Sequence, residues 1–292
     1  MGFWKTLLAI DRRWIFLFVF LALTIPMFLN VDFELSISRE VQSLYDALDK
    51  LQPNSKVLMS FDYDPPSAPE LQPMADAVMK YCLKKRLRII IMGLWPQGPI
   101  QANKALQKAF SEDDIDESEY VYGVHYVNLG FQAGNEFVIQ RMGSSFYEMF
   151  KNDYAGNRYE ELPLMRGIKN FNDIDFSINF SAGYPGTVEW VQVAVDRYHV
   201  RLGAGNTAVQ APQVYPYYNS GQLVGLAGGM RGAAELEGIF ARGDGGGIEY
   251  KDKGTKYMLS QTIAHAVVMF FIVVGNIAYF VIGRKDKLKA SK

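Results

Sequence analysis

Residues 257 to 283, "YMLSQTIAHAVVMFFIVVGNIAYFVIG", form a run of 27 positions with no charge apart from the titratable His265. A bilayer core about 30 Å thick is crossed by roughly 20 apolar residues in helical form, so this run has the length and character of a span. A second uncharged run, "WIFLFVFLALTIPMFLNV" at 14 to 31, meets the same requirement. A cleaved signal would have a shorter apolar core and a small-x-small cleavage site. The sequence "PMFLNVDFE" offers none, so the first run reads as a retained anchor. Pro26 would only kink it, because neighbouring groups re-satisfy the freed carbonyl.

Basic residues near the spans set the orientation. Lys5, Arg12 and Arg13 precede the first span, and Arg284, Lys285, Lys287, Lys289 and Lys292 follow the second. Lys251, Lys253 and Lys256 oppose them, but the short tails decide. The expected layout is a cytoplasmic tail over 1–13, a span over 14–31 and an extracytoplasmic domain over 32–241. A Gly/Lys-rich linker over 242–256, a span over 257–283 and a basic cytoplasmic tail over 284–292 complete it. This places a two-pass protein in the cell membrane, with Trp4, Trp14, Tyr257 and Tyr279 suited to the interfacial belts.

The region between the spans alternates strand and helix signals. Residues 36 to 52 have Val41, Leu44, Tyr45, Leu48 and Leu51 on one helical face. Strand-like runs follow at "KVLMSFDYDPP", "RLRIIIMGLWPQGP", "YVYGVHYVNLGF", "IDFSINFSAG" and "VRLGAG". Between them lie helix patterns, the first opened by a capping-box signature at Ser67 and Glu70. Such alternation predicts a three-layer, doubly wound α/β domain of Rossmann-like type with a mainly parallel sheet. The lone Cys82 shares a helical stripe with Leu71, Met74, Ala75 and Val78, which predicts a buried thiol.

In doubly wound sheets ligands bind beyond the carboxyl ends of the strands. The candidate ligand residues on that crest are Asp62, Asp64, Trp95, Gln97, Asn128, Gln132, Tyr184 and Thr187. Asp62 and Asp64, two apart, are the pair that a hard cation or a metal-assisted hydrolase would use. Known chemical signatures are scarce. "GAGNTA" at 203 to 208 matches G-x-G-x-x-A, but Pro212 and Pro216 stand where the phosphate-binding helix should run, and no acidic residue follows at the required distance. No P-loop, nucleophile elbow or H-E-x-x-H occurs. His125 reads as a core histidine beside Val121, Val127 and Leu129, and the glycosylation signal "NFS" at Asn179 falls inside a strand.

Glycine spacing raises one further expectation. Gly221, Gly225, Gly229 and Ala233 recur every fourth residue, which on a helix over 219–240 would make a flat ridge for close packing. His265 and Asn276 in the second span are polar groups suited to contacts between helices. A net charge of −1 points away from nucleic acid, and the motif deficit points away from nucleotides. No cofactor is expected. The lipid bilayer and other membrane subunits are the expected partners. The function expected is recognition or scaffolding by an accessory subunit without catalysis of its own. The alternatives are the hydrolase or a solute sensor that signals through the spans.

Overall fold

The computed structural model describes residues 10–28, 36–111, 115–242 and 253–290. The chain divides into two compact units, the domain Glu34–Thr255 and the terminal segments flanking it. In chain order the elements are α1 (Arg12–Phe28), α2 (Arg39–Asp49), β1 (Lys56–Asp62), α3 (Ala68–Lys84), β2 (Arg88–Gly93) and α4 (Gly98–Ser111). Then come β3 (Tyr126–Phe131), α5 (Glu136–Met142), α6 (Phe146–Met149), β4 (Phe176–Ser181) and α7 (Thr187–Trp190). A wider π turn over Val191–Val195 carries α7 into α8 (Asp196–Tyr198). The chain ends with β5 (Leu202–Asn206), α9 (Ala211–Asn219), β6 (Leu223–Gly228), α10 (Gly229–Arg242) and α11 (Lys253–Ala290).

The six strands form one sheet in the order β3-β2-β1-β4-β5-β6, and every pairing is parallel. Helices cover both faces, giving the expected Rossmann-like α/β architecture. Val57, Met59 and Phe61 of β1 and Phe176, Ile178 and Phe180 of β4 pack toward α2, α3, α4 and α10. Leu58, Ile90, Met92, Val127 and Leu129 pack toward α5, α6, α7 and α9. Parallel strands with both faces covered account for the continuous apolar run "IIIM" in β2. Cys82 is buried in the first of these cores, and burial pushes its thiol far above the ordinary range.

Among the described residues one helical segment, Lys256–Ile282, is long and apolar enough to cross a membrane. The 14–31 expectation corresponds to α1, seventeen residues long, and residues 29–31 lie outside the described residues. Most of the 242–256 linker also lies outside them. Phe18 of α1 and Phe271 of α11 meet with ring centroids 5.9 Å apart. His265 and Asn276 are both exposed, and the Asn276 amide donates to the Ile272 carbonyl one turn back, at 2.9 Å.

Several expectations need correction. The 219–240 helix does not exist as such: Leu223–Gly228 is strand β6, and only Gly229–Arg242 is helical. A four-residue repeat is also two strand periods, so regular small residues fit either element. Gly221 sits in the preceding turn with φ +82 and open space around it, and Gly229 starts α10 with φ +59. Gly225 does provide close approach, but from the sheet: a Cβ there would lie 2.4 Å from the Leu44 backbone nitrogen of α2. Ala233 is buried on α10.

The fifth strand falls where expected, and β5 takes in the first four residues of "GAGNTA", where Gly203 and Gly205 make room for Leu44, Phe176, Phe180 and Met74. A helix does follow it, since Pro212 occupies the first turn of α9, a position proline suits. Ser67 does not cap α3 by its side chain; Glu70 instead accepts from the Ala208 amide at 2.7 Å. His125 precedes β3 in a half-buried turn, its Nδ1 accepting from Val121 N at 2.7 Å. Gly123, with φ +76, breaks the strand expected from residue 120.

Two glycines should respond oppositely to alanine. At Gly225 the added methyl meets helix backbone, and overpacking of this kind costs about 1–3 kcal/mol. At Gly238, within α10, it meets only Ile37 Cδ1 at 4.0 Å, so the gain in helix propensity of up to about 1 kcal/mol should be kept. Denaturant unfolding should therefore show Gly225→Ala less stable and Gly238→Ala slightly more stable than the parent. Equal effects would mean that contact with α2 does not govern Gly225.

Candidate functional site

Parallel central strands are covered on both faces, so polar side chains within them need a specific partner. Strands β1, β4 and β5 carry a stripe of them on one face: Ser60 and Asp62, then Ser177, Asn179 and Ser181, then Asn206, all buried. The stripe lies across β1, β4 and β5, beside the point where the strand order reverses between β1 and β4.

Asp62, the last residue of β1, is the centre of this stripe. Its carboxylate accepts from Leu94 N at 2.6 Å, Ser60 Oγ at 2.9 Å, Asn179 Nδ2 at 2.6 Å and Trp190 Nε1 at 3.1 Å. Four donors fill the roughly four acceptor positions of a carboxylate. Burial pushes the Asp62 carboxyl up to about 6, against the hydrogen bonds from Leu94, Ser60, Trp190 and Asn179 that favour the charged form.

A relay runs on from there. Thr187 Oγ1 donates to Asn179 Oδ1 at 2.7 Å and accepts from Asn206 Nδ2 at 2.8 Å. Asn206 Nδ2 also donates to Gln210 Oε1 at 2.9 Å, and Gln210 Nε2 to the Gly183 carbonyl at 3.1 Å. Asn206 Oδ1 is buried and makes no hydrogen bond. The relay thus joins β1, β4, α7, β5 and the loop before α9. Gly186, just before α7, allows the turn to close: a Cβ there would overlap Ser181 Oγ and the Gly183 carbonyl. Because Asn179 is fully buried in this network, "NFS" cannot accept a glycan in the folded chain.

The eight crest residues thus separate by depth. Asp62 and Thr187 lie under the crest in the relay. Asn128 is also buried, but ties β3 to α4, donating to Pro99 O at 3.1 Å and Asn103 Oδ1 at 2.8 Å. Asp64 is half-buried and accepts from Ser67 Oγ at 3.0 Å within its own turn, apart from the contacts of Asp62. Gln97 is exposed, and Gln132 donates to the Met149 carbonyl at 2.7 Å.

Trp95 and Tyr184 tie the rim together. The Trp95 indole donates to the Pro185 carbonyl at 2.8 Å, joining the β2 and β4 loops. The Tyr184 hydroxyl contacts Glu136 Oε2 at 3.0 Å and accepts from Asn135 Nδ2 at 3.2 Å, joining the β4 loop to α5. Among the described residues no group of three or more His, Cys, Asp or Glu side chains is placed to hold a metal. A cleft of about 370 Å³ lies elsewhere, at the β3 edge, lined in part by Asn103, Phe110, Tyr122 and Tyr126.

The relay residues Ser60, Asn179, Ser181, Trp190, Asn206 and Gln210 were not among the sequence candidates. A signal for some of them was present: in "FSINFS" and "MSFD" polar residues recur with period two inside strands that must be buried on both faces. No family model, curated protein or solved structure matches this chain.

The carboxyl of Asp62 titrates higher in the folded state than the ordinary 3.8, so its stabilising contribution is fully present below that value and is lost as pH rises through about 6. Its share should fall by about 1.4 kcal/mol per pH unit in that window. Asp62→Asn should remove this share while leaving a donor facing donors, at a cost of about 1–3 kcal/mol. Unfolding free energies of both proteins between pH 4 and 7 test this: their difference should narrow as pH rises. A constant difference would show that Asp62 does not titrate there.

Proposed function

We propose that this chain is a two-pass membrane protein that presents its α/β domain outside the cytoplasm as the recognition or scaffolding subunit of a membrane complex, without catalysis of its own. One observation carries this reading. The carboxylate at the place where a doubly wound sheet would do chemistry is filled by four protein donors, so it serves the fold. The loops above it are cross-tied at Trp95 and Tyr184, which favours a preformed contact surface.

The hydrolase alternative draws its support from the Asp62 carboxyl, pushed up to about 6 and so within reach of acid–base work near neutral pH. It requires substrate to displace donors from a fully buried group. The second anchor also favours the recognition reading, since one span is enough to tether an enzyme. Against a partner helix the exposed His265 and Asn276 would supply hydrogen bonds worth about 0.6–2 kcal/mol.

Purification of the full chain from membranes in mild detergent should yield a companion membrane protein in fixed ratio, and Asp62→Asn should not abolish any ester or phosphoester hydrolysis found in the sample. A chain that purifies alone and whose hydrolytic activity vanishes with Asp62→Asn would overturn the reading in favour of the enzyme.

Topology has its own test. Protease added to cells stripped of outer barriers should cut within residues 242 to 256 and spare a tag placed after Lys292. A cut tag with an intact domain would reverse the orientation.

A further inference from the structure

The cleft at the β3 edge is used by neither the relay nor the crest loops. It holds about 370 Å³, a volume within the range of small-ligand sites. Asn103, Gln107 and Phe110 of α4 form one wall, and Glu117, Tyr122 and Tyr126 form the other. The three aromatic side chains are half-buried and set at angles to one another. Tyr126 meets Tyr122 with ring centroids 5.4 Å apart and planes at 87°, and Phe110 at 5.6 Å and 52°. The Tyr122 hydroxyl is taken up by Asp153, donating to Oδ2 at 2.7 Å, so the ring is what Tyr122 offers the cleft.

Charge at the cleft has one sign. Among the described residues Glu117 is the one charged side chain lining it, and its carboxylate has no hydrogen bond or ion pair with them. Burial first, and then the Glu117 charge, push the Tyr126 phenol above its ordinary range, so the carboxylate lies near that ring. Neighbouring cations are occupied elsewhere. Lys104 donates to Gln101 Oε1 at 3.1 Å, Lys108 pairs with Asp76 at 2.8 Å, and Arg86 pairs with Glu119.

We propose that this cleft binds a small alkylated ammonium ion, held against the rings of Phe110, Tyr122 and Tyr126 with Glu117 balancing its charge. Ring faces attract cations, and quaternary ammonium ions are recognised by several rings at once. A primary ammonium would bring three N–H donors, and Asn103 Oδ1, one of the few acceptors here, is already used by Asn128 at 2.8 Å. A free solute and the headgroup of a choline lipid share this chemistry. No lysine or arginine lines the cleft to meet a headgroup phosphate, which favours the free solute. The assignment goes beyond the recognition reading and does not depend on it, because the cleft lies at the start of β3 and the crest at the other ends of the strands.

The test is isothermal titration calorimetry of the full chain in maltoside micelles, with choline and with its neutral carbon analogue, neohexyl alcohol. Choline should bind at millimolar concentration or below, and about tenfold tighter than the alcohol. Glu117→Gln should weaken choline about fivefold, the scale of an exposed ion pair, without changing the alcohol or the melting temperature. Tyr126→Leu should also weaken choline about fivefold, because leucine keeps an apolar wall but has no ring face. Should that variant melt early, the choline-to-alcohol ratio and the exposed Glu117 position still decide. Glycerophosphocholine separates the two sources: binding weaker than choline identifies a free solute, and tighter binding a lipid headgroup, with the ammonium site supported in both cases. Equal binding of choline and the alcohol, choline affinity unchanged by Glu117→Gln, or no binding of choline would overturn the proposal.

Discussion

The fold depends on one buried carboxylate. Asp62 gathers the end of β1, the Leu94 amide that turns β2 toward α4, the Asn179 amide of β4 and the Trp190 indole of α7. Each charge-assisted hydrogen bond is worth about 1.5–3 kcal/mol, but taking the charge out of water costs several kcal/mol. The upward shift of its carboxyl shows that burial has the larger share. What the group contributes is placement: no apolar residue of similar size would fix two strands, a loop and a helix at once. Deleting it would leave four donors facing each other in a dry interior, so the charge is held there by its surroundings.

Glycine performs the complementary task on the other face. Gly203 and Gly225 let α2 sit against β5 and β6 through Leu44, and Gly205 does the same for α3 through Met74. The start of α2 is then held from α10. Glu235, buried on that helix, accepts from the backbone nitrogen and hydroxyl of Ser38, and Glu237 accepts from the Gly254 amide at 2.9 Å. Each carboxylate meets an unsatisfied N–H at the positive end of a helix, the charge placement that a helix dipole favours. Both ends of the domain are thereby fastened to a single helix, two residues apart.

Much of this was legible in the sequence. The order of five strands and their helices followed from hydrophobic period and turn residues, and the long uncharged run at 257–283 read directly as a helix of span length. Strand β6 did not, because "LVGLAG" has too few β-branched residues to separate it from the glycine-spaced helix that follows. The start of β3 was misplaced because "YVYGVH" has strand composition, whereas Gly123 turns the chain there. The site was legible at its ends only. Asp62 and Thr187 could be named from loop position, but their joining through Asn179 depends on which strands are neighbours, and β1 lies beside β4 across 117 residues of chain. Asp64 looked like a partner for Asp62 by spacing; the chain leaves the strand between them, and the period of two no longer applies.

Carboxylates and exposed apolar side chains both stand on the crest, and they have different origins. In a parallel α/β domain every helix that follows a strand starts at the crest, so the positive ends of the helix dipoles collect there and favour carboxylates. Glu189 accepting from Gly186 N and Glu70 accepting from Ala208 N are this effect at close range. The acidic rim is therefore a product of the architecture and would arise in a domain that bound nothing. No such rule puts Val209, Phe137 or Tyr184 into solvent, because helix starts and turns are served by small and polar residues. Fold physics thus accounts for the carboxylates at these helix starts, while single apolar side chains exposed beside them are ordinary on a protein surface and follow no such rule.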